Sequence, residues 1–279
     1  MTDTKLQYLI YSIVAVVAFV LGIVLMPVVT GDGISGTSLN KSIGSCNIPL
    51  IKLHGYVSSF TYASSGNSSD GSYPVADSEE ITKKIRQADA DSSSKAIVLE
   101  IDSNGGNVVA GEEIANELKR ASKPTVAIIR GQGLSSAYWA ASGAEVIFAS
   151  ANSEIGSIGV TGSYVDRSEY NRKEGYTYNS ITTGAHKDAT NENKALTSKE
   201  RSEIQKEINS MMENFVQAIA INRHISLDSI SHELRDARIF LGTEAIEEKL
   251  IDYIGDRVSV QEYLAKKLQL SEDDITYCE

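Results

Sequence analysis

AIVLEIDSNGGNVVAGEEIANELKRASKPTVAIIRGQGLSSAYWAASGAEVIFA, residues 96–149, is the stretch that decides the fold. Its first six residues, Ala96 to Ile101, form a near-continuous apolar run, as a strand covered on both faces requires. Asp102 to Asn107 is a glycine-containing turn, and Val109, Ile114 and Leu118 then mark one face of a helix. Pro124 introduces a second apolar run, TVAII (125–129). A short Gly/Ser turn leads into a second helix, Ser135 to Ser142, and Val146 to Ala149 reads as a third strand. Strands alternating with helices in this order pair in parallel through helical crossovers. The expected class is therefore α/β with a mostly parallel sheet.

Working outward, IPLIKLHGYV (48–57) reads as a preceding strand and Ser58 to Tyr73, rich in Ser, Gly and Asn, as a loop. Asp77 is placed to cap a helix running to about Ala88, with Glu80 as its capping-box partner. The C-terminal third reads as helical. Ser198 to Asn222 carries Ile204, Ile208, Met211, Met212, Phe215 and Ile219 at helical spacing, a pattern expected to face a core. Shorter helices are expected over 227–234, 243–248 and 259–267.

Residues 8–29 carry no charge and, as a helix, would span about 33 Å, enough to cross a bilayer core. The run exceeds the roughly 7–15 apolar residues of a secretory signal, and no A-x-A site follows it. It is expected to be an uncleaved anchor in the lipid bilayer. Residues 1–7 would form a short cytoplasmic head, 30–46 a flexible Gly/Ser/Thr-rich stalk, and 47–279 the folded domain on the extracytoplasmic side.

Of the 279 residues, roughly 230 remain for one sizeable core. The formal net charge is −11. Such a surface repels phosphate backbones and no basic stripe interrupts it, which argues against nucleic acid as a partner. Cys46 and Cys278 are the two cysteines, at the two ends of the domain. They are either unrelated thiols or, in an oxidising compartment, a disulfide joining those ends. With His54, His186, His224 and His232 as the four histidines, the spacing matches no zinc motif, and no metal site is expected.

Two turns hold the candidate chemistry. In Asp102-Ser103-Asn104-Gly105-Gly106 the paired glycines allow close backbone approach, and amides at such a helix start can bind a developing oxyanion. In Gly131-Gln132-Gly133-Leu134-Ser135-Ser136-Ala137-Tyr138-Trp139 a serine stands at the C-terminal edge of a strand, where α/β ligands bind. Read from composition alone, Ser135 or Ser136 is better explained as a helix cap.

GLSSAYWAASGAEVIFAS resembles the nucleophile helix of the signal peptide peptidase A family. IVLEIDSNGGNVVAGEEI is similar to that family's strand–D-S-x-G-G–helix, with Asn104 where proline is common. ANSEIGSIGV resembles its G-S-I-G-V loop. TTGAHKDATNE is similar to its G-x-x-K-D, and Phe215 with Arg223, then RIFLGTEAIEEKLIDYIGD, resemble its closing segments. The likeness spans roughly Ile48 to Asp256. It implies a Clp-protease/crotonase-like fold of repeated β-β-α units and a serine peptidase with a Ser–Lys dyad. Ser135 would be the nucleophile, with Ser136 one register away, and Lys187 the general base. Backbone amides of Gly105 or Gly106 and of Ser136 would form the oxyanion hole. A lysine can serve as base only when neutral, which calls for apolar enclosure; Asp188 is then expected to point away from Lys187. The resemblance also implies no cofactor, peptide or unfolded-protein substrates such as remnant signal peptides, and a homo-oligomer, ring- or dome-like, in which Lys187 can reach a neighbour's Ser135. Three other readings stand beside it: an α/β-hydrolase-like esterase pairing Ser135 with His224 or His232, a crotonase-like acyl-CoA enzyme, and a non-catalytic membrane scaffold of the same fold.

Overall fold

In a computed structural model, which describes residues 46–61 and 74–278, the strands β1 (Ile48–Ser58), β2 (Val75–Asp77), β3 (Ile97–Gly106), β4 (Thr125–Leu134) and β5 (Val146–Ala149) lie in one sheet. Its order is β2-β1-β3-β4-β5-β8, where β8 is Tyr253–Ile254, and these pairs are all parallel. Strand β6 (Glu154–Gly156) pairs with the outer part of β4, and β7 (Ile239–Leu241) adds to β6 antiparallel. The described residues fall within one unit, Gly44–Glu279. The apolar stretch 8–29, most of the stalk and residues 62–73 of the first loop lie outside the described residues. Among the described residues no helix is long and apolar enough to cross a membrane.

The period-two pleat of the strands divides the interior into two layers. Ile97, Leu99, Ile101, Ala127 and Ile129 face helices α1 (Ser78–Ala90), α2 (Val108–Arg120) and α3 (Ser136–Ser142). Val98, Val126 and Ile128 face the opposite way, onto Val260 and Leu264 of α8 (Arg257–Leu268). Because both faces are covered, the strand sequences show no polar alternation. The exception is Glu100, fully buried in β3. Burial alone would raise its pKa. A hydrogen bond from Arg257 Nε at 2.5 Å, with the charges of Arg257, Arg130 and His54, outweighs that and holds it below the ordinary carboxylate range.

Several expectations need correction. The strands do not stop at Ile101 and Ile129: Asp102–Gly106 and Arg130–Leu134 continue β3 and β4. Asp77 does cap α1, accepting from the Glu79 and Glu80 amides, but Glu80 pairs with Lys84 at 2.6 Å instead of closing a capping box. Val109 is exposed, and Ala110 takes its place beside Ile114 and Leu118 in the core. One helix is unexpected, α4 (Ser168–Lys173), whereas α5 (Ser198–Asn222) has the expected bounds. Only the C-terminal half of α5 is core, through Phe215, Val216 and Ile219. Ile204 and Ile208 instead border a cavity of about 160 Å³ with Gly162 and Tyr164. The expected helix over 227–234 is a 3₁₀ turn, Leu227–Ser229, followed by the short α6, His232–Arg235. The helix expected over 243–248 is the shorter α7 (Gly242–Ala245), four residues long.

The ends of the domain meet. Strand β9 (Tyr277–Cys278) lies parallel to the start of β1, and Cys46 is bonded to Cys278 with their Cα atoms 5.2 Å apart. Of the two readings of these cysteines, the structure has the disulfide.

Candidate active site

The two turns singled out in the sequence come together at the ends of β3 and β4. Both strands carry irregularities there. From His54↔Asp102 to Tyr56↔Gly105, β3 spends three residues against two of β1. From Ile101↔Ile129 to Ser103↔Gly133, β4 spends four against two of β3. Bulges of this kind kink a strand and re-aim the residues beyond them. Here they carry Gly105 against the start of α3. Gly105 has φ +98°, and a Cβ there would stand 2.7 Å from Leu134 O, 2.8 Å from Ser135 Cβ and 3.2 Å from Ser136 N. Only glycine fits this contact.

Ser135 joins β4 to α3 with φ +52° and ψ −126°, a sparsely populated conformation for a residue with a Cβ. Its N–H donates to Gly156 O at 2.8 Å, and its C=O accepts from Trp139 N at 3.0 Å. The side chain makes no capping bond, so the serine does not serve as a helix cap. Ser136 differs: it is 1% exposed, its Oγ has no partner among the described residues, and it lies beneath the surface against Gly111 of α2. The partly exposed Ser135 can meet a substrate; the Ser136 hydroxyl cannot without rearrangement.

The helix behind Ser135 is firmly held. Tyr138 is fully buried and its hydroxyl donates to Leu250 O at 2.8 Å; burial pushes its pKa far up. Trp139 stacks on Phe215 with ring centroids 4.5 Å apart. Next to this, Arg223 forms a bidentate pair with Asp252 at 2.8 and 3.0 Å. Glu145 pairs with Lys267.

The two candidate amide donors of the glycine turn are not equivalent. The Gly105 N–H is donated to Ser103 Oγ at 3.0 Å, a hydrogen bond within the glycine turn.

Lys187 lies at the surface. It lies in the run of turns after Thr183 and is exposed, and neither Lys187 Nζ nor Ser135 Oγ makes a hydrogen bond among the described residues. The expected apolar enclosure is thus not supplied by the described residues of its own chain. Residues 161–187 are nearly all exposed, including Val165, Tyr170, Tyr176 and Ile181, the last at 99%. Asp188 does not pair with Lys187: its carboxylate accepts from the Tyr178 hydroxyl at 3.0 Å. Burial tends to raise its pKa, and hydrogen bonds from Ser180 and Tyr178 bring it below the usual range.

No histidine is hydrogen-bonded to Ser135 among the described residues. His224 borders a cleft with Ser142 and Gly143, at the opposite end of α3. His186 and His232 are exposed, and His54 faces Glu100 at 3.2 Å on the other side of the sheet. Among the described residues no cluster of side chains could hold a metal ion.

Two features of the site had no role in the sequence reading. One is Ser103, bridging β1 and the glycine turn. The other is Gly156, whose carbonyl fixes the Ser135 amide; its G-S-I-G-V motif was visible, but its function was not.

Comparison with known proteins gives concordant results. The model described as peptidase family S49 matches residues 117–271, and that of Clp protease matches residues 71–156. A "putative protease" of Methanocaldococcus jannaschii is 28% identical over 213 residues, 75% of this chain and 68% of that one. A "putative signal peptide peptidase SppA" of Enterococcus faecium is 28% identical over 234 residues, 82% of this chain and 66% of the relative. The chain therefore spans about two thirds of the length of these two relatives. A solved structure of a mutant of the 1510-N membrane-bound stomatin-specific protease superposes with a TM-score of 0.52 at 14% identity, covering 78% of this chain and 84% of that one. At that identity the likeness speaks for the fold alone.

Proposed function

This chain belongs to peptidase family S49, the signal peptide peptidase A family, and is a serine peptidase; we propose that it works as an endopeptidase through a Ser135–Lys187 dyad. The observation that carries the nucleophile assignment is the backbone of Ser135. It is held at positive φ by Gly156 and α3, with its hydroxyl unspent and partly exposed at a strand-to-helix turn.

In the proposed reaction Ser135 Oγ attacks a peptide carbonyl while neutral Lys187 takes its proton. The N–H groups of Gly106 and Ser136 receive the negative charge that develops on the carbonyl oxygen. The Lys187 ammonium then gives its proton to the leaving amine. Water attacks the acyl-enzyme in the second half of the cycle, with Lys187 again taking the proton.

We further propose that the dyad closes between subunits of a homo-oligomer. A lysine base needs enclosure, and this chain leaves Lys187 exposed on an excursion whose apolar side chains are also uncovered. A neighbouring copy would cover both. Ser–His catalysis finds less support, since His224 is at the wrong end of α3. Hydrophobic or unfolded segments, remnant signal peptides among them, are the proposed substrates. The Cys46–Cys278 disulfide favours an extracytoplasmic domain, and residues 8–29 are the proposed anchor.

Co-expression tests the shared site. Ser135→Ala and Lys187→Ala, each inactive alone, should regain part of the wild-type hydrolysis of an unfolded protein when mixed. Mixed oligomers without any recovered activity would refute sharing between subunits.

A further inference from the structure

Ser103 sits in the β3 bulge and is 3% exposed. Its hydroxyl donates to Gly55 O on β1 at 2.5 Å and accepts from Gly105 N–H at 3.0 Å. Gly55 is the β1 residue that the irregularity skips, and Gly105 is the β3 residue at which the register resumes. The register passes from His54↔Asp102 directly to Tyr56↔Gly105, so Gly55 on β1 and Ser103 and Asn104 on β3 have no counterpart within the β1–β3 pair, while Ser103 is matched on its other side by Gly133 of β4. A part-buried carbonyl and a buried amide at such an irregularity need partners. One hydroxyl, donating and accepting at once, serves both.

This bridge fixes more than two hydrogen bonds. Gly55 and Gly105 both have positive φ, +85° and +98°. A hydroxyl on Ser103 that holds the Gly55 carbonyl and the Gly105 amide therefore sets the direction in which the strand turns. That direction decides where the peptide joining Gly105 to Gly106 lies. It also decides how close Gly105 comes to Ser135, since a Cβ on Gly105 would already stand 2.8 Å from Ser135 Cβ. Asn104 beside it is exposed and leaves the backbone of the turn to Ser103.

We infer that Ser103 is a positioning residue for catalysis: through its bridge between Gly55 and Gly105 it aims the Gly106 amide at the oxyanion and sets the floor under Ser135. The inference rests on the assignment of Ser135 as nucleophile. It predicts a defect that appears as negative charge develops on the substrate oxygen and is small while the substrate is merely bound.

The test uses the full chain with Ser103→Ala, Ser103→Cys and Ser103→Thr. Thermal unfolding is recorded for each, along with kcat and KM on a peptide ester and inhibition by the matching peptide aldehyde, whose adduct carries the oxyanion. Ser103→Ala should lower kcat by about 100-fold, the usual consequence of a lost oxyanion donor. Aldehyde affinity should weaken by a similar factor, with KM changed less than about threefold. Ser103→Thr, which keeps the hydroxyl, should recover at least tenfold of that loss. If the alanine variant does not fold, Ser103→Cys gives the answer, because it keeps the shape and weakens both hydrogen bonds. A folded Ala or Cys variant with wild-type kcat and wild-type aldehyde affinity would overturn the inference. So would a loss in KM alone. Labelling of wild-type Ser135 by a fluorophosphonate separates the two failures. If Ser135 labels and Ser103 proves indifferent, only this inference falls; if wild-type Ser135 does not label, the reading of the site falls and takes this inference with it.

Discussion

Replacing Gly105 by alanine is the sharpest mechanical perturbation the site offers. At φ +98° any Cβ is strained, at a cost of about 1–3 kcal/mol. The new methyl would also stand 2.7 Å from Leu134 O and 2.8 Å from Ser135 Cβ. Neither neighbour is the free end of a flexible side chain, so backbone must move, and overpacking of this kind costs about 1–3 kcal/mol more. Gly105→Ala should therefore destabilise by roughly 3–4 kcal/mol, a large share of a typical domain's total stability but not all of it. The backbone that yields is the turn carrying Ser135. A displacement approaching 1 Å there should slow acylation by about 100-fold. Denaturant unfolding and the rate of fluorophosphonate labelling measure the two effects on the same protein. A folded Gly105→Ala protein that labels at the wild-type rate would refute the close contact between the two turns.

Other outcomes arise from the same geometry. Ser136→Ala removes a buried hydroxyl that has no partner among the described residues and keeps the backbone N–H; stability should hold or rise by about 1 kcal/mol in thermal unfolding, with activity retained. Reducing the Cys46–Cys278 disulfide, which closes a 232-residue separation, should lower stability by roughly 4 kcal/mol, read as a fall in the denaturant midpoint. Glu200, hydrogen-bonded by Lys194 and by Thr197 at the start of α5, has its pKa lowered to about 2. Because the folded value lies below the unfolded one, its contribution is present above pH 4.5 and is lost as pH falls from there toward 2; Glu200→Gln should flatten the stability profile in that window.

The parallel sheet was legible because a strand covered on both faces must be apolar throughout, and 96–101 and 125–129 are. Their outer ends were not. Asp102-Ser103-Asn104-Gly105-Gly106 has the composition of a turn, yet it continues β3, because Ser103 and the neighbouring strands pair the groups that a bulge exposes. Helical periodicity placed α5 at Ser198–Asn222 but overstated its core face, since period alone does not say whether anything packs against Ile204 or Ile208. Two adjacent serines could be ranked only by resemblance. Their separation into a strained, partly exposed Ser135 and a buried Ser136 is a property of the turn, not of the residue type. The exposure of Lys187 was likewise beyond reach, because burial depends on partners that spacing does not name.

The central claim is that Ser135, and not its neighbour, is the nucleophile served by a lysine. The direct measurement is mass-spectrometric mapping of the adduct left by a fluorophosphonate on the wild-type protein and on Ser135→Ala, Ser136→Ala and Lys187→Ala. A single adduct on Ser135 is predicted, absent from Ser135→Ala, preserved in Ser136→Ala and slowed by at least about 100-fold in Lys187→Ala. An adduct on Ser136, or undiminished labelling of Ser135 without Lys187, would contradict it.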